Sequence, residues 1–139
     1  MKAVVFDSNI LFSSLRSRKS VLLSNLEARK DCHFYTPNFL VVEIFKHRER
    51  LRAKSKLTED EFLELFAILI GSIRFFTESM ISGGSLVEAW RLVKDVDPKD
   101  HLFVELALEL DAKFWTRDEA LKIGLQKKGF TNFYEEHEM

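Results

Sequence analysis

Short apolar runs alternate along the chain with longer segments in which apolar residues recur every three or four positions. The run over residues 2–6 is apolar from Ala3 onward, which is typical of a strand buried on both faces of a parallel sheet. Further short runs predict strands over residues 33–35, 73–77 and 113–116. Strands that alternate with helices predict an α/β fold, in which a parallel sheet is covered on both faces.

Helical periodicity fills the segments between these runs. It predicts helices over about 8–29 with a break near 16–18, and over about 36–51, 58–71, 85–93, 97–110 and 118–127. Thr36 as a cap and Pro37 in the first turn mark the start of the second of these helices. Residues 58–61 and 85–88 both match the capping-box pattern. Gly129 is the expected cap at the end of the last helix.

The remaining segments predict one domain. Gly83-Gly84 predicts a loop, residues 130–134 predict an edge strand, and the polar residues 135–139 predict a tail. A chain of 139 residues is typical of a single domain, which we expect to span residues 1–134.

Composition narrows the class of protein. The chain is 46% hydrophobic and 31% charged with a net charge of -1, so no global field indicates a nucleic-acid partner. Its apolar runs are far shorter than the roughly 20 residues of a membrane span. Cys32 is the single cysteine, which excludes an intrachain disulfide and favours a reducing compartment. Because a strand is predicted from residue 2, we expect no signal segment and a cytoplasmic protein.

Four carboxylates stand out, and three of them lie where a predicted strand ends or a predicted helix begins. Asp7 follows the first strand, Asp100 opens a strongly apolar helix, and Asp118 follows the strand at 113–116. Ligands of open α/β sheets bind outside the carboxyl ends of the strands, where acids from distant segments can converge. Converging carboxylates repel one another unless a hard cation such as Mg²⁺ or Mn²⁺ neutralises them. The pattern therefore predicts a divalent-metal site and phosphodiester chemistry.

Each aspartate also has a structural interpretation. Aspartate is a favoured N-cap, so Asp7 and Asp118 can simply cap the helices that follow them. Asp97, Pro98 and Asp100 together form an ordinary helix start. Taken singly, none of these aspartates distinguishes a cap from a metal ligand.

Glu43 is the fourth acid, and its neighbours are apolar on nearly every side of the predicted helix. We therefore expect this helix to be mostly buried, and a buried carboxylate needs a partner or a metal. The alternative is a contact with His47, four residues further on the same face.

A basic run follows Glu43. Residues 46–56 contain six Lys or Arg against one Glu. The candidate RNA contacts are Lys46, Arg48, Arg50 and Arg52. The alternatives are a solvated helix end and a salt-bridge network with the acids at 59–64.

Other chemistries lack support in the sequence. The four histidines form no cluster with metal-ligand spacing, and one cysteine makes a structural zinc site improbable. Ser8 and Ser13 have no nucleophile-elbow context, and the Gly-Gly pair matches no phosphate-binding fingerprint.

Taken together, these motifs resemble the PIN domain, the nuclease fold of many prokaryotic toxins and RNA-processing factors. The resemblance covers about residues 1–130. It is carried by residues 5–11, by Thr36-Pro37 followed by Glu43, by residues 97–100 before the apolar residues 106–110, and by residues 115–118. It implies an α/β/α sandwich around a mainly parallel sheet.

The resemblance also implies a function. It implies a Mg²⁺- or Mn²⁺-dependent endoribonuclease whose acids are Asp7, Glu43, Asp100 and Asp118, with Asp97 in an auxiliary acidic position. Asn9 and Thr116 match supporting polar positions near the metal. Cleavage would leave a 5′-phosphate and a 3′-hydroxyl, and a toxin would have a small antitoxin partner. We also expect a homodimer.

Two alternatives differ in class. One is a non-catalytic RNA-binding or assembly module with the same fold, although all four acids are present. The other is a phosphotransfer domain with Asp7 as nucleophile, which ordinarily needs a second aspartate where this chain has Asn9.

Overall fold

A parallel β-sheet lies at the centre of the protein. The computed structural model describes residues 2–17 and 19–137. Within these residues the strands are β1 (Lys2–Phe6), β2 (Cys32–Pro37), β3 (Arg74–Phe76) and β4 (Lys113–Trp115). They lie in the order β3-β2-β1-β4, and every pairing is parallel. The predicted sheet is therefore confirmed.

Helices cover both faces of the sheet. Within the described residues they are α1 (Ser8–Ser14), α2 (Val21–Ala28), α3 (Phe39–Lys46), α4 (Arg48–Lys54), α5 (Glu59–Ser72), α6 (Gly83–Val93), α7 (His101–Glu109) and α8 (Glu119–Lys127). Short 3-10 helices span Glu78–Met80 and Pro98–Asp100. Helices α1 to α5 pack on one face and α6 to α8 on the other, which confirms the three-layer α/β/α sandwich.

The central strand β1 supplies both hydrophobic cores. Val4 and Phe6 point into the core under α1 to α5, whereas Val5 points into the core under α6 to α8. In β4, Phe114 and Trp115 divide between the two cores in the same way. This alternation follows from the two-residue period of a strand, and it explains why β1 is apolar at consecutive positions.

The order of the strands creates a crevice between β1 and β4. From β1 the chain enters α1 on one face, whereas from β4 it enters α8 on the opposite face. Such a switch point, at the carboxyl ends of the strands, is where open α/β sheets bind ligands. Asp7 follows β1 and Asp118 caps α8 just after β4, so both acids lie at this crevice.

Several local predictions are confirmed. The first strand begins and ends where predicted, and the break after α1 includes residues 16 and 17, with residue 18 outside the described residues. Thr58 and Glu61 make both hydrogen bonds of a capping box at the start of α5. Gly129, just beyond the end of α8, has φ +96°, a conformation that glycine adopts without strain.

The predicted start of the second helix is wrong. Thr36 and Pro37 are the last residues of β2 and pair with Phe75 and Phe76 of β3. The helix begins instead at Phe39, whose backbone N–H donates to the Glu78 carboxylate at 3.2 Å. The pairing of β2 with β3 and the cap supplied by Glu78 therefore set the start of this helix.

Three other boundaries differ from the predictions. The predicted helix to residue 51 is divided at His47 into α3 and α4. Gly83 and Gly84 lie in the first turn of α6 instead of a loop, because Ser82 is the residue whose side chain caps that helix. Residues 130–134 form one isolated bridge, between Phe133 and Phe114, instead of an edge strand.

The segment over residues 134–137 packs against α2 through buried Asn25. The amide nitrogen of Asn25 donates to the backbone oxygens of Val21 and His137 at 2.8 and 3.2 Å. Its amide oxygen accepts from the Tyr134 hydroxyl at 2.7 Å and from the His137 backbone N–H at 2.6 Å. Residues 138 and 139 of the predicted tail lie outside the described residues. Over the residues the structure covers, no helix combines the length and hydrophobicity needed to cross a membrane.

Asn25→Ala is expected to lower the free energy of unfolding by about 1–3 kcal/mol, because it leaves buried polar groups without partners. Tyr134→Phe removes one of these bonds and should cost about 1 kcal/mol. Urea denaturation measures both values. Asn132→Ala, which removes one part-buried bond to the Ala112 carbonyl, is the matched control. A cost for Asn25→Ala no larger than the control would show that the network contributes little.

Candidate metal centre

The predicted acids meet in one cavity at the carboxyl edge of the sheet. This cavity, called the metal cavity below, has a volume of about 270 Å³. The predicted residues that line it are Asp7, Asn9, Glu43, Asp97, Asp100 and Asp118. They come from four separate segments of the chain, which only the fold brings together.

Asp7 is almost completely buried, at 2% exposure. One carboxylate oxygen caps α1 by accepting from the Ile10 backbone N–H at 3.3 Å, and the other accepts from the Thr116 hydroxyl at 2.6 Å. Burial raises the pKa of this carboxyl, and these hydrogen bonds only partly oppose the rise. Asp7 is therefore both a helix cap and a member of the metal cavity.

Asp97, Asp100 and Asp118 form the tightest group of acids. One carboxylate oxygen from each lies within 4.8 Å of the others. Burial, followed by the charges of Asp97 and Asp7, raises the pKa of Asp100 to about 7. Oxygen atoms this close, which repel one another when ionised, match the hard ligands that Mg²⁺ and Mn²⁺ prefer. The three side chains thus fit a divalent cation.

Thr116 connects the two strands that deliver these acids. Its buried hydroxyl donates to Asp7 and accepts from the Asp118 backbone N–H at 3.1 Å. Asp118 in turn caps α8 by accepting from the Leu121 N–H at 3.1 Å. Thr116 therefore holds Asp7 and the start of α8 in a fixed relation, without itself lining the metal cavity.

The prediction that the helix around Glu43 is mostly buried is wrong. The side chain of Glu43 is 36% exposed, and its carboxylate lies 3.3 Å from the His47 ring, the alternative foreseen from the spacing. Only Leu40 and Ile44 of α3 are fully buried, whereas Val42 and Phe45 are 66% and 56% exposed. An apolar circumference therefore does not by itself bury a helix, because part of the surface of α3 is left exposed by its neighbours.

The basic run lies outside the metal cavity. Lys46 ends α3, and Arg48, Arg50 and Arg52 lie on α4, all with exposed side chains. Arg48 and Arg52 line a different cavity, of about 360 Å³, together with Glu59 and Leu63. The run therefore begins at the end of the helix that carries Glu43, and its four candidate RNA contacts do not line the metal cavity.

Lys99 is a residue of the metal cavity that the analysis of the sequence missed. It is the one Lys or Arg among the described residues that line this cavity, and its side chain is exposed. Its backbone N–H donates to Asp97 at 3.1 Å. The sequence feature that could have identified Lys99 is its position between two acids, Asp97 and Asp100.

The fold and the cavity together define a class: a parallel α/β/α protein with a carboxylate centre suited to a divalent cation. The family model of the PIN domain matches residues 5–137. The chain therefore belongs to the PIN-domain family, whose members are generally nucleases. A search of the curated proteins found no significant match.

Asp100→Asn is expected to stabilise the metal-free protein above about pH 7. The folded-state pKa of about 7 exceeds the ordinary value of 3.8, so the folded state holds an extra proton between these values. Stability should consequently fall as the pH rises from about 4 to about 7, and the variant should lose this dependence. Urea denaturation in EDTA at a series of pH values measures the free energy of unfolding of both proteins. The control is Asp111→Asn, an exposed acid outside the cavity, and identical pH profiles for all three proteins would contradict the prediction.

Mn²⁺ is expected to stabilise the unmodified protein by mass action, by about 2.7 kcal/mol at a hundredfold excess over its Kd. The Asp100→Asn variant should respond much less, because it lacks one of the three grouped carboxylates. Thermal melts with and without Mn²⁺ test this. An equal response in the two proteins would mean that Asp100 does not bind the ion.

Proposed function

We propose that this protein is a Mg²⁺- or Mn²⁺-dependent endoribonuclease. The observation that carries the proposal is the group of carboxylate oxygens from Asp97, Asp100 and Asp118, within 4.8 Å of one another at the switch point of the sheet. Membership of the PIN-domain family supports RNA as the substrate.

We assign the roles as follows. Asp7, Asp100 and Asp118 hold metal, with Asp97 as an auxiliary ligand. Glu43 binds a second ion or orients the attacking water, and its partly exposed carboxylate on the wall of the cavity suits either role. A divalent ion held by these residues would polarise the scissile phosphate, lower the pKa of the attacking water and stabilise the leaving oxygen.

The other residues around the cavity position these groups. Thr116 fixes the orientation of Asp7 through the 2.6 Å hydrogen bond, so that the buried carboxylate cannot rotate freely. Asn9 offers an amide to the substrate or to a water molecule at the cavity wall. The exposed ammonium of Lys99 is suited to a non-bridging phosphate oxygen, because it offsets the negative charge of the acids on the cavity wall.

We further propose that the protein works in the cytoplasm as a homodimer, and that it is the toxin of a pair with a small antitoxin. Exposed apolar side chains support a protein partner: Phe45 packs against Phe66 with ring centroids 6.3 Å apart, and nearby Val42 on the same helix is exposed. Isolated exposed apolar residues are ordinary, but adjacent ones on one helix suit an interface.

RNA cleavage is expected to require Mg²⁺ or Mn²⁺ and to stop in excess EDTA. Asp118→Asn and Asp100→Asn should each lower kcat by about a hundredfold or more, because each removes a charged ligand. Asp111→Asn, which makes the same change at an exposed site, should leave cleavage unchanged. Gel analysis of a labelled RNA measures the rates. Undiminished cleavage in chelator would exclude the metal mechanism, and tight RNA binding without cleavage would favour the non-catalytic module.

Replacing Arg48, Arg50 and Arg52 with Ala is expected to weaken RNA binding and to flatten its dependence on salt, because fewer phosphates are neutralised. Turnover at saturating RNA should change less, since these side chains lie outside the metal cavity. Titrations at several salt concentrations measure the slope, with Lys94→Ala as an exposed-cation control. If binding and slope are unchanged, the run is a solvated helix end.

A further inference from the structure

A second cavity lies beside the metal cavity, between the start of α8 and residues 133–136. This C-terminal cavity has a volume of about 530 Å³, within the range of small-ligand sites. Thr116 lines it, and the Thr116 hydroxyl donates to Asp7 of the metal cavity. Arg117, the next residue, also lines it and directly precedes Asp118. The chain therefore passes from the wall of the C-terminal cavity to the wall of the metal cavity over residues 116–118.

Arg117 in the C-terminal cavity already holds an anion, the side chain of Glu136. The Arg117 Nε donates to one Glu136 oxygen at 2.9 Å, and a terminal nitrogen donates to the other at 2.6 Å. This two-pronged geometry is the one by which arginine binds carboxylates and phosphates alike. The Trp115 indole N–H also donates to Glu136, at 3.2 Å. Three donors thus converge on one anion position.

A second cation acts on the same position. The Arg117 hydrogen bonds, together with smaller contributions from Trp115 and from the charge of Lys122, lower the pKa of Glu136 despite its partial burial. The Lys122 ammonium also lies 5.7 Å from the centre of the Phe133 ring. Phe133 is half-buried and lines the cavity, so an aromatic ring lies beside Lys122 in the same cavity as Arg117.

The contact between Arg117 and Glu136 is weak enough to be displaced. Arg117 is 50% exposed and Glu136 28%, so water reaches the pair, and a phosphate can take over the two-pronged bond because it presents the same kind of acceptor oxygens. Of the other acids on the cavity wall, Glu119 is 75% exposed and 3.9 Å from Lys122, and Glu135 is exposed. Water screens these two charges, so Glu136 is the anion that chiefly blocks the position.

We propose that the C-terminal cavity binds a nucleotide of the RNA next to the scissile phosphate, with a backbone phosphate replacing Glu136 on Arg117. Lys122 adds a second positive charge over the Phe133 ring, and this half-buried ring forms an apolar wall beside the base. Glu136 is then a built-in competitor that weakens RNA binding until the RNA displaces it. The identity of the polymer rests on the proposed ribonuclease function, whereas the anion position rests on the contacts alone.

The test measures binding of a short unstructured RNA by fluorescence anisotropy, with Ca²⁺ in place of Mg²⁺ so that binding is separated from cleavage. Glu136→Gln can still accept from Trp115 but no longer neutralises Arg117, so its Kd should fall about two- to fivefold. Arg117→Ala should raise Kd about tenfold. The double variant should match Arg117→Ala alone, because no arginine remains to be released.

Matched controls are available on α6. Glu88 and Arg91 form an ion pair of the same type outside the cavity. Glu88→Gln makes the same change in net charge as Glu136→Gln and should leave Kd unchanged. Thermal melts check folding, and if Arg117→Ala does not fold, Arg117→Lys replaces it, with a smaller rise in Kd expected because the two-pronged bond is lost.

An unchanged or raised Kd in Glu136→Gln would overturn the proposal, since Glu136 would then be irrelevant or would position Arg117 for binding. An equal fall of the Kd in Glu88→Gln would also overturn the proposal, because the effect would then come from the net charge of the protein. Cleavage assays with Mn²⁺ keep the two ideas apart. Tighter RNA binding by Glu136→Gln in a protein that cleaves no RNA would refute the nuclease function and support the cavity. Normal RNA cleavage together with an unchanged Kd for Glu136→Gln would support the nuclease function and refute the proposal for the C-terminal cavity.

Discussion

Repulsion among the carboxylates at the carboxyl edge of the sheet is the constraint on which this structure depends. Asp97, Asp100 and Asp118 bring oxygen atoms within 4.8 Å of one another, and burial, followed by the charges of Asp97 and Asp7, raises the pKa of Asp100 to about 7. The two hydrophobic cores on either side of β1 supply the free energy that holds the acids in place. A stable fold thus maintains a site that is unfavourable until a cation binds.

The same carboxylates also begin helices, and the two roles are compatible because a carboxylate has two oxygens. Asp7 uses one oxygen to cap α1 and the other to accept from Thr116. Asp118 caps α8 with one oxygen and keeps a place in the metal cavity. Cap and ligand were alternatives at the level of sequence, whereas in the folded protein Asp118 caps α8 and also lies in the group of three acids, so the cap does not exclude the proposed ligand role.

The end of the chain belongs to the site as well as to the core. Tyr134 and His137 are tied to Asn25 of α2, and this anchorage holds the intervening Glu136 against Arg117. The backbone of this polar segment is held beside α2, and its acidic side chain at Glu136 reaches Arg117, the residue before Asp118. A substitution of Asn25 would consequently shift the backbone that places Glu136 beside Arg117.

Local sequence determined the elements whose signals are complete within a few residues. The apolar run of β1, the Thr58 capping box and the aspartates at the ends of β1 and β4 were all predictable, and so were the α/β class and the PIN-domain family. The tertiary structure decided what depends on distant partners. Thr36 and Pro37 belong to a strand because β3 pairs with them, and the exposure of Glu43 follows from which side of α3 is covered. The pairing of Glu136 with Arg117 likewise required residues 132–134 to return alongside β4, which no pattern of neighbouring residues encodes.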